Sequence, residues 1–142
     1  MILNLRVDHK IADIHSMENI SKDMEDLFWE LQEKYSIGEY IEISTCNRKE
    51  YYINNDYISE EDELLSHENQ SIIIEYGPSA VRHLLRMTSG LESMIVGEDQ
   101  ILGQVKDAND KAMKNHHCGK TLDAVFTKAI HVGQVVRNKT NI

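Results

Sequence analysis

The chain has 142 residues, 41% of them hydrophobic and 27% charged, and carries a formal net charge of −9. That is room for one domain, or for two small subdomains sharing a core. No stretch approaches the roughly 18 consecutive apolar residues of a membrane span, and no basic-then-apolar leader opens the chain, so the cytoplasm is the default location. The acidic balance argues against non-specific binding to nucleic acid. It is unevenly spread, however: residues 101–142 hold seven Lys/Arg and three Asp, a balance of +4, which leaves −13 on the first 100. A polyanionic partner could meet that C-terminal third, although on charge alone solvated helix faces are the simpler reading.

In chain order, "MILNLRV" alternates apolar and polar residues and predicts a strand. Residues 16–36 predict an amphipathic helix, with Ile20, Met24, Leu27, Phe28 and Leu31 on one stripe, Ser16 or Ser21 as cap and Gly38 as terminator. "EYIEIST" and "KEYYINN" predict two more strands, which flank "TCNR" and put Cys46 at a tight connection. "ISEEDELLSHENQ" predicts a short helix and loop, and "SIIIEYG" a strand. This β-α-β-β-(α)-β order predicts an α+β fold, a ferredoxin-like antiparallel sheet with helices on one face.

From Pro78, suited to a first helical position, the texture turns helical. Val81, Leu84, Leu85 and Thr88 share one face. Gly90, Gly97 and Gly103 predict a mobile or closely approached segment. Ile101, Leu102, Val105, Ala108, Ala112 and Met113 form the next stripe, with His116 and His117 exposed beyond it. A last helix over 121–138 buries Leu122, Val125, Phe126, Ala129, Ile130 and Val136. The domain reading is therefore an α/β part over 1–77 and a helical part over 78–142.

Cys46 and Cys118 show no C-x-x-C or Cys/His spacing of a zinc site, and in a reducing compartment they read as free thiols. Two readings of Cys46 stand side by side. A free cysteine is often a small buried hydrophobe. Alternatively it is a nucleophile, with Arg48 favouring the thiolate and Thr45, Asn47 and backbone N–H groups offering hydrogen bonds to a substrate or an oxyanion. His83 is a satisfied helix residue, or a proton donor and acceptor if it packs near Cys46. Glu98, Asp99, Gln100 and Gln104 cap a helix start or form a substrate rim. The function classes left open are a thiol-dependent acyl-transferring enzyme, an RNA-binding module with a structural cysteine, and a thiol hydrolase of simple esters.

"STCNRKEYY" resembles the cysteine-containing signature of the glutamyl-tRNA reductase family. "HLLRMTSGLESMIVGEDQILGQVKDA" resembles that family's second signature, and "VDHKIA" and "VGQVVRNKT" resemble further segments in the same order. The resemblance implies an N-terminal catalytic domain acting on glutamyl-tRNA in the entry step to tetrapyrrole (porphyrin) biosynthesis. It implies an oxidoreductase that reduces the substrate with NADPH to glutamate-1-semialdehyde through a cysteine thioester.

By position, Cys46 matches the nucleophile, His83 a histidine important for activity, and Thr45, Asn47 and Arg48 the substrate-binding neighbours. Arg48 is the natural clamp for a substrate carboxylate. Ser93, Glu98, Asp99, Gln100 and Gln104 match further substrate contacts, with Glu98 suited to the α-ammonium group. The resemblance further implies a homodimer for the full-length protein, glutamate-1-semialdehyde aminomutase as a candidate partner, and no metal. Two departures are the missing proline in "HKIADI" and Asp99 in "GEDQ", where the family often has proline. No G-x-G-x-x-G occurs, so the chain reads as the catalytic domain alone, with the NADPH-binding and dimerisation domains elsewhere and thioester formation as its expected chemistry.

Overall fold

The computed structural model describes residues 1–8, 14–45, 47–66, 71–90 and 99–140. Strands β1 (Ile2–Asp8), β2 (Glu39–Ser44), β3 (Arg48–Asn54) and β4 (Ile73–Tyr76) form one sheet in the order β2-β3-β1-β4. Every neighbouring pair is antiparallel. Helix α1 (Ile14–Tyr35) links β1 to β2 while β3 slots between them, the split arrangement of a ferredoxin-like sheet. Where that layout would place its second helix there is a 3-10 turn, Glu63–Leu65, capped by Asp62 through Leu64 N at 2.8 Å. Helices α2 (Pro78–Thr88), α3 (Asp99–Lys114) and α4 (Lys120–Thr140) follow.

Strand alternation sends successive side chains to opposite faces, and here both faces are covered. Leu3, Leu5, Val7, Tyr51 and Ile53 pack against Ile20, Met24, Leu27, Phe28 and Leu31 of α1. Phe28 stacks on Tyr51 with ring centroids 4.3 Å apart. Lys49 on this face bridges Glu25 of α1 at 2.8 Å and Glu42 of β2 at 2.7 Å. On the other face Ile41, Ile43 and Tyr52 form a second core with Leu84, Met87, Ile101, Val105, Leu122, Phe126 and Ala129 from the C-terminal helices. Tyr52 meets Phe126 edge-on at 5.1 Å, a favoured aromatic geometry.

Several local expectations shift. Helix α1 starts at Ile14, so Ser16 and Ser21 lie inside it rather than capping it. It ends at Ser36, whose φ of 50° and bond from N to Gln32 O at 2.8 Å close the last turn before Gly38 is reached. In α2 the buried stripe is Ala80, His83, Leu84, Met87 and Thr88. Val81 and Leu85 sit at its margin, because the helix is wedged between the sheet and α4. Gly103 lies within α3 with open space where a Cβ would be, so nothing approaches it closely. Met113 is 50% exposed, whereas Asn109 is buried on the stripe read as purely apolar. His117 is not an exposed helix end. It stacks on Tyr40 with centroids 4.1 Å apart, its Nδ1 donates to Tyr40 O at 2.8 Å, and its carbonyl accepts from Tyr40 N at 2.8 Å. That contact occupies the edge of β2.

The start of α4 is tied to the sheet by Glu39, whose Oε1 accepts from Leu122 N at 2.6 Å. A carboxylate there also complements the positive end of the helix dipole. Further along α4, Gly133 permits contact with α2: an added Cβ would lie 2.5 Å from Thr88 O. Among the described residues, no helix is long and apolar enough to cross a membrane.

Candidate functional site

Antiparallel pairing brings the end of β2, the start of β3, the end of β1 and the start of β4 to one end of the sheet. The 45–48 connection lies there. Thr45 organises it. Its N donates to Arg48 O at 2.9 Å, and its Oγ1 accepts from Asn47 N and Arg48 N, both at 3.2 Å. A threonine hydroxyl that accepts twice from the backbone defines a tight turn. Its own O–H has no acceptor among the described residues and stays available as a donor. Cys46, Ser93 and Glu98 lie outside the described residues.

Behind the turn, between the sheet and α2, sits a buried polar cluster. Glu50 is fully buried and gathers four donors. Its Oε1 accepts from Asn4 Nδ2 at 3.2 Å and Tyr52 OH at 3.0 Å, and lies 2.9 Å from His83 Nε2. Its Oε2 accepts from Arg48 Nη1 at 3.0 Å. Strand period puts Arg48, Glu50 and Tyr52 on one face, and β1 supplies Asn4 and Arg6 at the neighbouring positions. Burial by itself would raise the Glu50 carboxyl. The His83 hydrogen bond and charge, then the Arg48 guanidinium, overcome it and hold the group at about 2. Burial, and then the Glu50 charge, push the Tyr52 phenol well up, so Tyr52 remains a donor.

Glu50 is thus an anion at neutral pH and only accepts. His83 Nε2 must therefore carry the proton in that bond, which leaves Nδ1 as the nitrogen that can exchange one. Arg48 is 2% exposed, with Nη1 committed to Glu50 and 3.1 Å from Met87 Sδ. Its reading as a carboxylate clamp has to accommodate this internal anchor.

Gln104 and Thr45, both read as substrate contacts, line one cavity of about 240 Å³ between the end of β2 and α3, with Glu42, Asp107 and Lys111 around it. Asp99 opens α3 and Gln100 is exposed in its first turn. Asn47 is half-buried in the turn. Cys118 is half-buried: burial, then Asp123 and Glu39, push its thiol up to about 11, which disfavours the thiolate. Among the described residues no group of three His, Cys, Asp or Glu side chains is arranged to hold a metal ion.

Residues 5–140 match the family model described as glutamyl-tRNAGlu reductase, N-terminal domain. The chain belongs to the glutamyl-tRNA reductase family. It is 77% identical to the glutamyl-tRNA reductase of Methanobrevibacter smithii over 142 residues, all of this chain and 36% of that protein. It is 47% identical to that of Methanothermobacter thermautotrophicus, over all of this chain and 34% of the relative. The solved glutamyl-tRNA reductase from Methanopyrus kandleri superposes with a TM-score of 0.81 at 31% identity, covering 99% of this chain and 35% of that one. The chain therefore spans about a third of the length of these family members.

Sequence reading missed Glu50, Asn4, Arg6 and Tyr52 as members of this glutamyl-tRNA reductase fold's polar centre. A signal was present: "RKEYY" puts Arg48, Glu50 and Tyr52 on a single strand face. Its meaning depended on whether that face was covered.

Proposed function

We propose that this chain is the catalytic, glutamyl-tRNA-binding domain of a glutamyl-tRNA reductase, with Cys46 as nucleophile. The Cys46 thiolate attacks the glutamyl ester carbon, and the bond to the tRNA ribose oxygen breaks. Glutamate stays as a thioester and the tRNA leaves as its free hydroxyl. The proton lost by the thiol is the one gained by the leaving oxygen, and His83 Nδ1 is the group suited to carry it. The Thr45 O–H would donate to the carbonyl oxygen as charge develops there. Arg48 and Asn47 would hold the substrate carboxylate. Glu98 would meet the α-ammonium group, and Ser93, Asp99, Gln100 and Gln104 would complete the contacts.

The observation that most supports this reading is the Arg48–Glu50–His83 cluster directly behind the turn that carries Cys46. A buried ionised carboxylate that fixes a histidine tautomer is an arrangement suited to proton-transfer chemistry.

The described residues do not fit a dinucleotide. The sheet is antiparallel, and β4 passes into α2 through Gly77 alone, not the three-glycine turn that a pyrophosphate needs. NADPH, bound elsewhere in the whole protein, would supply the hydride. Reduction to glutamate-1-semialdehyde, a role in tetrapyrrole synthesis, cytoplasmic location, a homodimer and an aminomutase partner belong to that whole-protein proposal.

The test is acid-quenched intact-protein mass spectrometry after incubation with glutamyl-tRNA and no NADPH. A hydroxylamine-labile glutamyl adduct, absent from Cys46→Ala, is expected. Folded protein with intact substrate and no adduct would refute the assignment.

A further inference from the structure

A second cavity, of about 170 Å³, opens on the opposite side of the buried cluster, between the β1–β4 edge and α2. Its lining is Arg6, Glu75, Ser79, Arg82, His83 and Arg86. Ser79, Arg82, His83 and Arg86 follow the 0, 3, 4, 7 spacing of a single helix stripe. The stripe therefore aims two guanidiniums, a hydroxyl in the first turn and the histidine of the proposed active site into one space. From the sheet, Arg6 adds a third guanidinium.

That charge is unusual for this chain. The protein carries −9 overall, and its first 100 residues are the acidic part. Yet the cavity holds three arginines against one carboxylate. Glu75 is spent on Arg6, whose Nη2 it meets at 2.5 Å while Asn4 Oδ1 takes Nη1 at 2.8 Å. These bonds hold Arg6 with only 9% of its surface exposed, and its buried Nε has no hydrogen-bond partner among the described residues. Arg82 is exposed and makes no ion pair among the described residues. The partnerless, buried Arg6 Nε and the exposed Arg82 give the cleft donors and positive charge to offer an anion. Planar guanidinium forks and a helix first turn suit the oxygens of a phosphate.

We infer that this cleft binds a backbone phosphate of the substrate tRNA's acceptor end, so that the esterified ribose is registered against His83. The inference rests on the glutamyl-tRNA reading and adds where the polynucleotide lies. It moves the contact from the basic residues 101–142 to an arginine cluster in the acidic part of the chain. Because His83 belongs to both the cleft and the Glu50 cluster, a phosphate held here sits one side chain away from the group that would exchange the proton.

The test is a heteronuclear NMR titration of the chain with inorganic phosphate, then with the trinucleotide CCA and its neutral methylphosphonate analogue, at constant ionic strength. Saturable shifts at Ser79, Arg82 and His83 with phosphate and CCA are expected, with at least tenfold weaker binding of the neutral analogue. Arg82→Gln/Arg86→Gln should weaken CCA binding at least tenfold, and Arg82→Lys/Arg86→Lys should recover part of it. Shifts that follow ionic strength alone would overturn the site. Saturation by phosphate with no response to CCA would show a free-phosphate site and overturn the tRNA assignment. The Cys46 adduct experiment does not depend on these shifts. An adduct without phosphate binding refutes the cleft and leaves the function standing, and phosphate and CCA binding without an adduct does the reverse.

Discussion

Glu50→Gln is a demanding test of the buried cluster, because it changes charge and one donor while keeping shape. Three donors converge on Oε1 and Arg48 alone on Oε2. A glutamine must keep its oxygen toward the three, which turns its NH2 group on the Arg48 guanidinium, itself 2% exposed. Breaking a buried ion pair from one side costs about 3–5 kcal/mol. The carboxyl's own displacement gives a second measure. It is held at about 2 against an ordinary 4.5, a difference worth on the order of 3 kcal/mol.

The sign follows from the lowered value. The contribution is complete above pH 4.5 and is lost as pH falls through about 2. Urea denaturation at pH 7 should therefore show Glu50→Gln less stable by about 3 kcal/mol. A pH series should show the wild type losing that advantage between pH 4.5 and 2, with the two curves converging. A variant within about 1 kcal/mol of wild type at pH 7, or one whose gap persists at pH 2, would refute the assignment of Glu50 as an ionised anchor.

Other expectations follow from single contacts. Thr45→Val strands two backbone N–H groups in the 45–48 turn and should cost about 1–2 kcal/mol by urea denaturation; Thr45→Ser should restore most of it, and equal loss in both would deny the turn role. Gly133→Ala puts a methyl 2.5 Å from Thr88 O and should destabilise by about 1–3 kcal/mol. Gly103→Ala, in an exposed helix interior with open space, should stabilise by about 0.5–1 kcal/mol, so thermal midpoints that move the same way would contradict the packing described. In a Cys46→Ser background, Cys118 held at about 11 rather than 9.0 should alkylate roughly 100-fold more slowly than a free thiol at neutral pH; labelling as fast as glutathione would refute its burial.

Periodicity alone carried the elements. The alternation in "MILNLRV" and "EYIEIST" and the spacing of Ile20, Met24, Leu27, Phe28 and Leu31 are properties of the chain's local geometry, so strands, α1 and the antiparallel α+β class were legible from them. The irregular polar signature around Cys46 likewise carried the family. Helix ends were less legible: termination of α1 fell to Ser36 at positive φ, a residue type with no strong preference for that conformation.

What alternation could not say was the fate of the polar half of each strand. Asn4, Arg6, Arg48, Glu50 and Tyr52 would face water in a two-layer sheet. Here α2 and α4 cover that face, so the same residues are buried, and each charge must find a partner in a medium that penalises it alone. That packing puts Glu50 between Arg48 and His83, 33 residues apart in sequence from the histidine it holds. It also rotates α2 so that His83 and Met87, rather than Val81 and Leu85, meet the sheet. Local sequence determines which side chains share a face, because the backbone period is intrinsic. Which faces exclude water is decided only when distant helices dock, and in this protein the polar centre exists only through that docking.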